Sequence, residues 1–395
     1  MKNKRRVKKA VKKIKKLKPA TLFLLVIFAF IVIAGYFVYD KYFNKNNSVS
    51  AKGEISFHFM MLGNENAGDC VYIKAGENDI LIDAGSTAGS VPYIDDYIDD
   101  FVTDNTLEYV IVTHADKDHI AGFACKNSIF DLYKCEVIID FPLTNKKLLT
   151  DKGNPTLYAD YIENRNEEVS VDNAVHYTAL ECYNNENGAK RSYDLTDDGN
   201  IKMEILYNYF YEHTSTDENN YSVCVEFSHG SDRKFLFTGD LEIEGEEKLA
   251  EKYEFSKVKL FKAGHHGSPT SSNDCLLREI QPEICVICCC AGSVEYTDYL
   301  PKTFPSRAVI NRLIEYQTKI YVPITVDIEI VGEKTYEGKL IPDYDNKGDY
   351  KLLNGNIKVT SSEQNGVTVN CSNNNTVLTK TDWYKSMCEL WKNYD

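Results

Sequence analysis

Thr113-His-Ala-Asp-Lys-Asp-His-Ile-Ala-Gly122 sets two imidazoles and two carboxylates inside six residues. The stretch before it, Leu107-Glu-Tyr-Val-Ile-Val-Thr113, is apolar and rich in β-branched residues and reads as a buried strand, while Ile120-Ala-Gly122 can open a helix. The cluster therefore belongs on a strand-to-helix turn at the rim of a sheet. In an extended turn His114, Asp116 and Asp118 share one side and His119 faces another, so the four groups suit a pair of divalent cations. A polar helix N-terminus capped by Asp116 or Asp118 would explain the acids but not the histidines.

Two later segments repeat the accent. Lys234-Phe-Leu-Phe-Thr-Gly-Asp240 is a short apolar strand ending in Gly-Asp, and Val258-Lys-Leu-Phe-Lys-Ala-Gly-His-His-Gly-Ser268 is another ending in paired histidines between glycines. Glycine permits the tight turns that let side chains from several strand ends converge. With this ordered set the chain resembles the metallo-β-lactamase superfamily, and within it the branch of the C-terminal domain of ComEC-type DNA-uptake proteins and of choline-phosphate esterases. Asn78-Asp-Ile-Leu-Ile-Asp-Ala-Gly85 is similar to the family's early strand, and Ser268-Pro-Thr-Ser-Ser272 to the serine-rich sequel of its histidines.

The resemblance implies an α/β fold, the αββα sandwich, holding two divalent ions, Zn²⁺ or Mn²⁺. It makes His114 and Asp116 ligands of one ion, Asp118 and His119 ligands of the other, Asp240 a bridge and His265 the completion of the second site. The sequence alone leaves open which histidine of the pair binds; His266 is then the proton donor to the leaving group, beside Asp118 as a catalytic carboxylate. Asp83 is expected to hold a ligand's imidazole N–H. Ser268, Ser271 and Ser272, at a helix start, are expected to receive phosphate oxygens.

The sequence departs from the broader family twice. Asp116 stands where many members have histidine, which makes the first site richer in oxygen. The third histidine expected before the Gly-Asp strand is missing, and that region reads Asp217-Glu-Asn-Asn-Tyr-Ser-Val-Cys-Val-Glu226, leaving Asn220 or Asp217 as oxygen donors. The first ion is thus expected to be the weaker. His58, His176, His213 and His229 lie off the pattern and read as structural.

Eleven of the first eighteen residues are Lys or Arg, and Ala20 to Tyr39 follow without a charge. Twenty helical residues span about 30 Å, the thickness of a bilayer core. The sequence therefore predicts a basic cytoplasmic tail (1–18), a single transmembrane anchor (19–40) binding the lipid bilayer, a linker (41–53), a hydrolase domain (54–322) outside the cell, and a β-rich extension (323–395). The net charge of −14 includes +11 in the tail, so the remainder is −25. Such a domain repels polyanions, which disfavours nucleic acid as the substrate although Lys117, Lys259 and Lys262 could steer a phosphate.

The twelve cysteines include four in Ile284-Cys-Val-Ile-Cys-Cys-Cys290, an apolar strand-like run in which they read as small core residues rather than disulfides or a zinc ribbon. Helices are expected near 91–102, 158–164, 242–253, 272–280 and 306–316, with the polar stretch 143–200 as an insertion or lid. The function so implied is a membrane-anchored, metal-dependent hydrolase of phosphodiesters. The alternative is a surface or DNA-uptake-associated binding module of the same fold with little or no turnover.

Overall fold

The computed structural model describes residues 53–63, 68–297, 299–326, 329–336, 338–345 and 350–392. The charged tail and the apolar segment at 20–39 lie outside the described residues, among which no helix is long and apolar enough to cross a membrane.

Two sheets form the centre. The first contains β1 (Glu54–Phe59), β2 (Val71–Ala75), β3 (Asn78–Ile82), β4 (Thr106–Ile111), β5 (Lys134–Asp140) and β6 (Val175–Thr178). The second contains β7 (Ser192–Asp194), β8 (Ile201–Leu206), β9 (Cys224–His229), β10 (Arg233–Phe237), β11 (Leu260–Lys262), β12 (Ile284–Val286) and, after the short β13 (Cys290–Ala291), β14 (Lys319–Tyr321). Beyond these come β15 (Ile324–Val326), β16 (Glu329–Tyr336), β17 (Lys339–Asp345), β18 (Tyr350–Leu352), β19 (Ile357–Ser362) and β20 (Gly366–Cys371). The first sheet runs β20-β19-β1-β2-β3-β4-β5-β6 and the second β14-β12-β11-β10-β9-β8-β7. In each, an antiparallel half adjoins a parallel half: β3 to β6 in one, β10, β11, β12 and β14 in the other.

Parallel strands need crossovers, and helices supply them. They are α1 (Val91–Ile98), α2 (Lys117–Ala124), α3 (Ile129–Leu132), α4 (Leu157–Val171), α5 (Ala179–Asn184), α6 (Ile243–Lys252), α7 (Asp274–Ile280) and α8 (Arg307–Glu315), with α9 (Asp382–Lys392) at the end. The sheets meet through aromatic side chains. Phe57 of β1 stacks 4.7 Å from Phe235 and 5.5 Å from Phe237, and Phe59 lies 6.0 Å from Phe237. All are buried, and each ring removed from water contributes about 2 to 3 kcal/mol. A second apolar layer, with Leu249, Leu276, Leu277, Val309 and Leu313, packs α6, α7 and α8 against the other face of the second sheet. This is the α/β sandwich that the sequence implied.

Three boundaries differ from expectation. The polar stretch 143–200 is not simply an insertion, because β6 and β7 within it close one edge of each sheet. The extension after 322 is not separate either: β19 pairs antiparallel with β1 from Glu54↔Ser362 to Phe59↔Ile357, and Trp383, Met387 and Trp391 of α9 enter the second core. The cysteine run is two strands in different sheets, split after Val286. Its cysteines are nonetheless buried, and all twelve in the chain are free thiols.

Candidate metal centre

The carboxyl ends of β3, β4, β10 and β11 open onto one rim, and the turns leaving them carry the ligand-type residues. Beyond β4, Asp116 takes the N-cap position of α2 in extended conformation, but its carboxylate makes no capping hydrogen bond. Its oxygens instead face Lys146 and His114. Gly122 lets α2 lie against the turn after β3: a Cβ there would come within 2.3 Å of the Ala84 carbonyl oxygen. Asp83, in that turn, is held in the left-handed region at φ +59°.

Asp83 organises the histidines. Its Oδ1 accepts the Thr113 backbone N–H at 2.8 Å, and its Oδ2 accepts both the Thr113 hydroxyl and the His119 Nδ1–H at 2.8 Å. The Thr113 oxygen in turn faces His114 Nδ1 at 3.1 Å. His266 Nδ1–H donates to the Cys288 carbonyl at 2.8 Å. With each Nδ1 engaged outward, each Nε2 is left to face the centre, the tautomer a metal ligand requires. His114 Nε2 and His119 Nε2 are buried with no hydrogen-bond partner among the described residues.

Around these nitrogens the carboxylates converge. Asp240 Oδ2 is 3.2 Å from both His119 Nε2 and His266 Nε2, and Asp118 Oδ2 is 3.1 Å from His266 Nε2. Asp116 Oδ2 lies 3.6 Å from His114 Nε2. Three donor groups follow, His114 with His119 and Asp240, Asp118 with His119 and His266, and Asp69 with Asp83 and His119, each with atoms inside 4.8 Å. Burial disfavours charge on His119 and His266, but Asp240, with Asp83 beside His119 and Asp69 and Asp118 beside His266, raises both imidazoles well above their ordinary pKa. For His114, burial and the neighbouring His119 outweigh the pull of Asp240, Asp116 and Asp118 and push it down to about 4. Burial works against ionisation of Asp118 and Asp240 too, yet His266, His119 and, for Asp240, Lys262 hold them below the usual carboxylate range.

The donor set fits divalent cations. Among the described residues, Asp69, Asp83, Asp116, Asp118 and Asp240 face two ammonium groups, Lys262 and Lys146, and with neutral imidazoles the excess negative charge is stabilised by a dication. His119, His266, Asp118 and Asp240 would hold one ion; His114, Asp116 and Asp240 face a second position.

Several residues take places other than those expected. His265 turns away from the cluster: its Nδ1 is 3.0 Å from Glu242 Oε1, and its ring is partly exposed. His266, not His265, faces Asp118 and Asp240. The cause is backbone: His265 and His266 are both left-handed, at φ +43° and +50°, which sends neighbouring side chains in opposed directions. Ser268, Ser271 and Ser272 are buried, and their hydroxyls are committed to Thr270, the Leu241 carbonyl and the Gly264 N–H respectively. They build the turn rather than reach a substrate. Asn220 Oδ1 accepts the Glu242 N–H and Asp217 Oδ1 the Asn219 N–H, so these two oxygens hold the local backbone. Lys262 is buried, paired with Asp69 and 3.0 Å from Asp240 Oδ1, instead of steering phosphate at the surface.

Asp69 was not visible as a site residue, although Gly68-Asp69 before β2 has the same form as Gly239-Asp240. It is fully buried beneath Lys262, with His266 Nδ1 at 3.4 Å. Tyr296 was missed as well; its hydroxyl donates to Asp118 Oδ2 at 3.0 Å. The four other histidines are structural: His58 bonds Ser56 and Tyr97, His176 pairs with Asp140, His213 stacks on Tyr209, and His229 meets Ser361.

The sequence model of the Metallo-beta-lactamase superfamily matches residues 63–124, the span that holds Asp69, Asp83 and the His-Ala-Asp-Lys-Asp-His run. Over that span the chain is similar to members of the superfamily. The chain is 29% identical over 250 residues to Recombination protein 2 of Haemophilus influenzae, covering 63% of the chain and 25% of the relative. It is 26% identical over 181 residues to ComE operon protein 3 of Bacillus subtilis, covering 46% and 20%. The chain thus spans about a quarter or less of the length of these relatives, whose names accord with the ComEC-like branch. Among solved structures it is similar to the metallo-β-lactamase fold protein YhfI of Bacillus subtilis, at 12% identity and a TM-score of 0.40, over 68% of this chain and 96% of that one.

In this centre Asp83→Asn should weaken metal binding roughly 10- to 100-fold, because the amide no longer fixes the His119 tautomer. Zinc affinity by competition with a chromophoric chelator checks this; unchanged affinity would remove Asp83 from the account.

Proposed function

We propose that the chain is a metal-dependent hydrolase of phosphodiesters, anchored to the membrane by residues 19–40. The observation that carries the hydrolase reading is the convergence of Asp118, His119, His266 and Asp240 with the Nδ1 atoms of both imidazoles already engaged elsewhere. A divalent ion held there supplies Lewis acidity and a bound water of lowered pKa. The protein's own groups do the rest. Asp83 and the Cys288 carbonyl orient the ligands, Lys262 neutralises Asp69 and one oxygen of Asp240, and Tyr296 covers Asp118. His265, oriented by Glu242 and partly exposed, replaces His266 as the residue available to protonate a leaving group.

The phosphodiester class is supported by the resemblance to the ComEC-like branch. The charge of −25 outside the tail favours a small or zwitterionic phosphodiester over long nucleic acid. The binding-module reading draws on one feature, the missing third histidine.

The test is a panel of bis(p-nitrophenyl) phosphate, phosphocholine esters, DNA, thioesters and lactams, assayed with Mn²⁺ or Zn²⁺ and again with chelator. Chelator-sensitive cleavage of small phosphodiesters is expected. A metal-loaded, folded chain inert to the whole panel would favour the binding module.

A further inference from the structure

We propose that Lys146 stands in for one of the two cations, so that the centre works with a single ion among Asp118, His119, His266 and Asp240 and meets an anionic oxygen of its substrate with a lysine ammonium. This rests on the metal-dependent phosphodiesterase reading and specifies how that site is built.

Three observations carry it. First, the position beside His114 is poor in ligands. The third histidine is absent from the sequence, Asn220 Oδ1 and Asp217 Oδ1 each accept a backbone N–H, and Asp240 Oδ1 is taken by Lys262. His114 Nε2, Asp116 and the shared Asp240 Oδ2 remain, short of the four donors a tight zinc site takes. Second, Asp116 is already neutralised, since Lys146 Nζ forms an ion pair with its Oδ1 while its Oδ2 faces His114.

Third, the segment that delivers Lys146 is fixed. The buried carboxylate of Glu218 accepts the Thr144 hydroxyl at 2.6 Å and the Asn145 N–H at 2.7 Å, and Thr144 Oγ1 accepts the Lys146 N–H at 3.0 Å. Asn145 is gripped a second time, donating to the Ser215 carbonyl at 3.0 Å and accepting from the Tyr221 hydroxyl at 3.3 Å. A partly exposed ion pair by itself contributes little to stability. Here the backbone is held from the 215–221 segment so that a long, flexible side chain ends at Asp116. An ammonium is a compact charge with three donors and binds a phosphoryl oxygen as a point charge. Lys146 thus places positive charge where a weakly held ion would otherwise sit.

The test uses the full chain and two readouts other than turnover. Zinc titration followed by native mass spectrometry is expected to give one tightly bound ion in the wild type and, in Lys146→Gln, in which Asp116 is released, the same ion with a second bound more weakly. Inorganic phosphate binding to protein loaded with one equivalent of zinc is expected to weaken about 10-fold in Lys146→Gln and to be retained in Lys146→Arg, as loss of one charge-assisted hydrogen bond implies. Two equally tight ions in the wild type, a single ion in both proteins, or unchanged phosphate affinity would overturn the inference and leave the hydrolase reading standing. No bound ion in either protein would overturn the hydrolase reading, and this inference with it.

Discussion

Asp240→Asn is expected to lower phosphodiester hydrolysis by roughly 10³-fold or more and to strip bound metal in the same preparation. The substitution keeps the shape of the side chain while removing the charge at the point where three cationic or ligand groups meet: Oδ2 lies 3.2 Å from both His119 Nε2 and His266 Nε2, and Oδ1 3.0 Å from Lys262. Without that charge Lys262 still has Asp69, so the fold is retained while the metal site is not. Metal content after desalting, read beside circular dichroism, separates the two. Full occupancy with normal turnover in Asp240→Asn would mean that this carboxylate is not a ligand.

His266→Ala and His265→Ala are expected to differ sharply although the residues are neighbours. Losing His266 removes an Nε2 aimed between Asp118 and Asp240, and metal affinity should fall by about 100-fold or more, with activity following. Losing His265 leaves those contacts in place. Its effect should appear in kcat, by roughly 10²-fold, with metal content unchanged. The reverse pattern, metal loss in His265→Ala alone, would restore the assignment that the family resemblance suggested.

How much of this was legible in the sequence depends on whether direction is set locally. His114, Asp116, Asp118 and His119 sit on one strand-to-helix turn, and Asp83 and Asp240 each follow a strand, so their spacing determines which side they face. The His265-His266 pair is different, because two consecutive left-handed residues decide which ring turns inward, and no periodicity reports that. Ser271 and Ser272 looked like phosphate contacts because the sequence shows hydroxyls but not the Leu241 carbonyl and Gly264 N–H that engage them. Asp69 and Lys262 were illegible as a pair since they come from different sheets. The C-terminal strands were separated from the domain for the same reason: β19 joins β1 across some three hundred residues, a pairing that local patterns do not carry.

The most direct measurement is a crystal structure of the zinc-loaded chain with diffraction recorded on both sides of the zinc absorption edge. The account predicts an anomalous peak about 2.0 to 2.2 Å from His119 Nε2, His266 Nε2 and the Asp118 and Asp240 oxygens that face them. A peak ligated by His265, or none within the cluster, would contradict it.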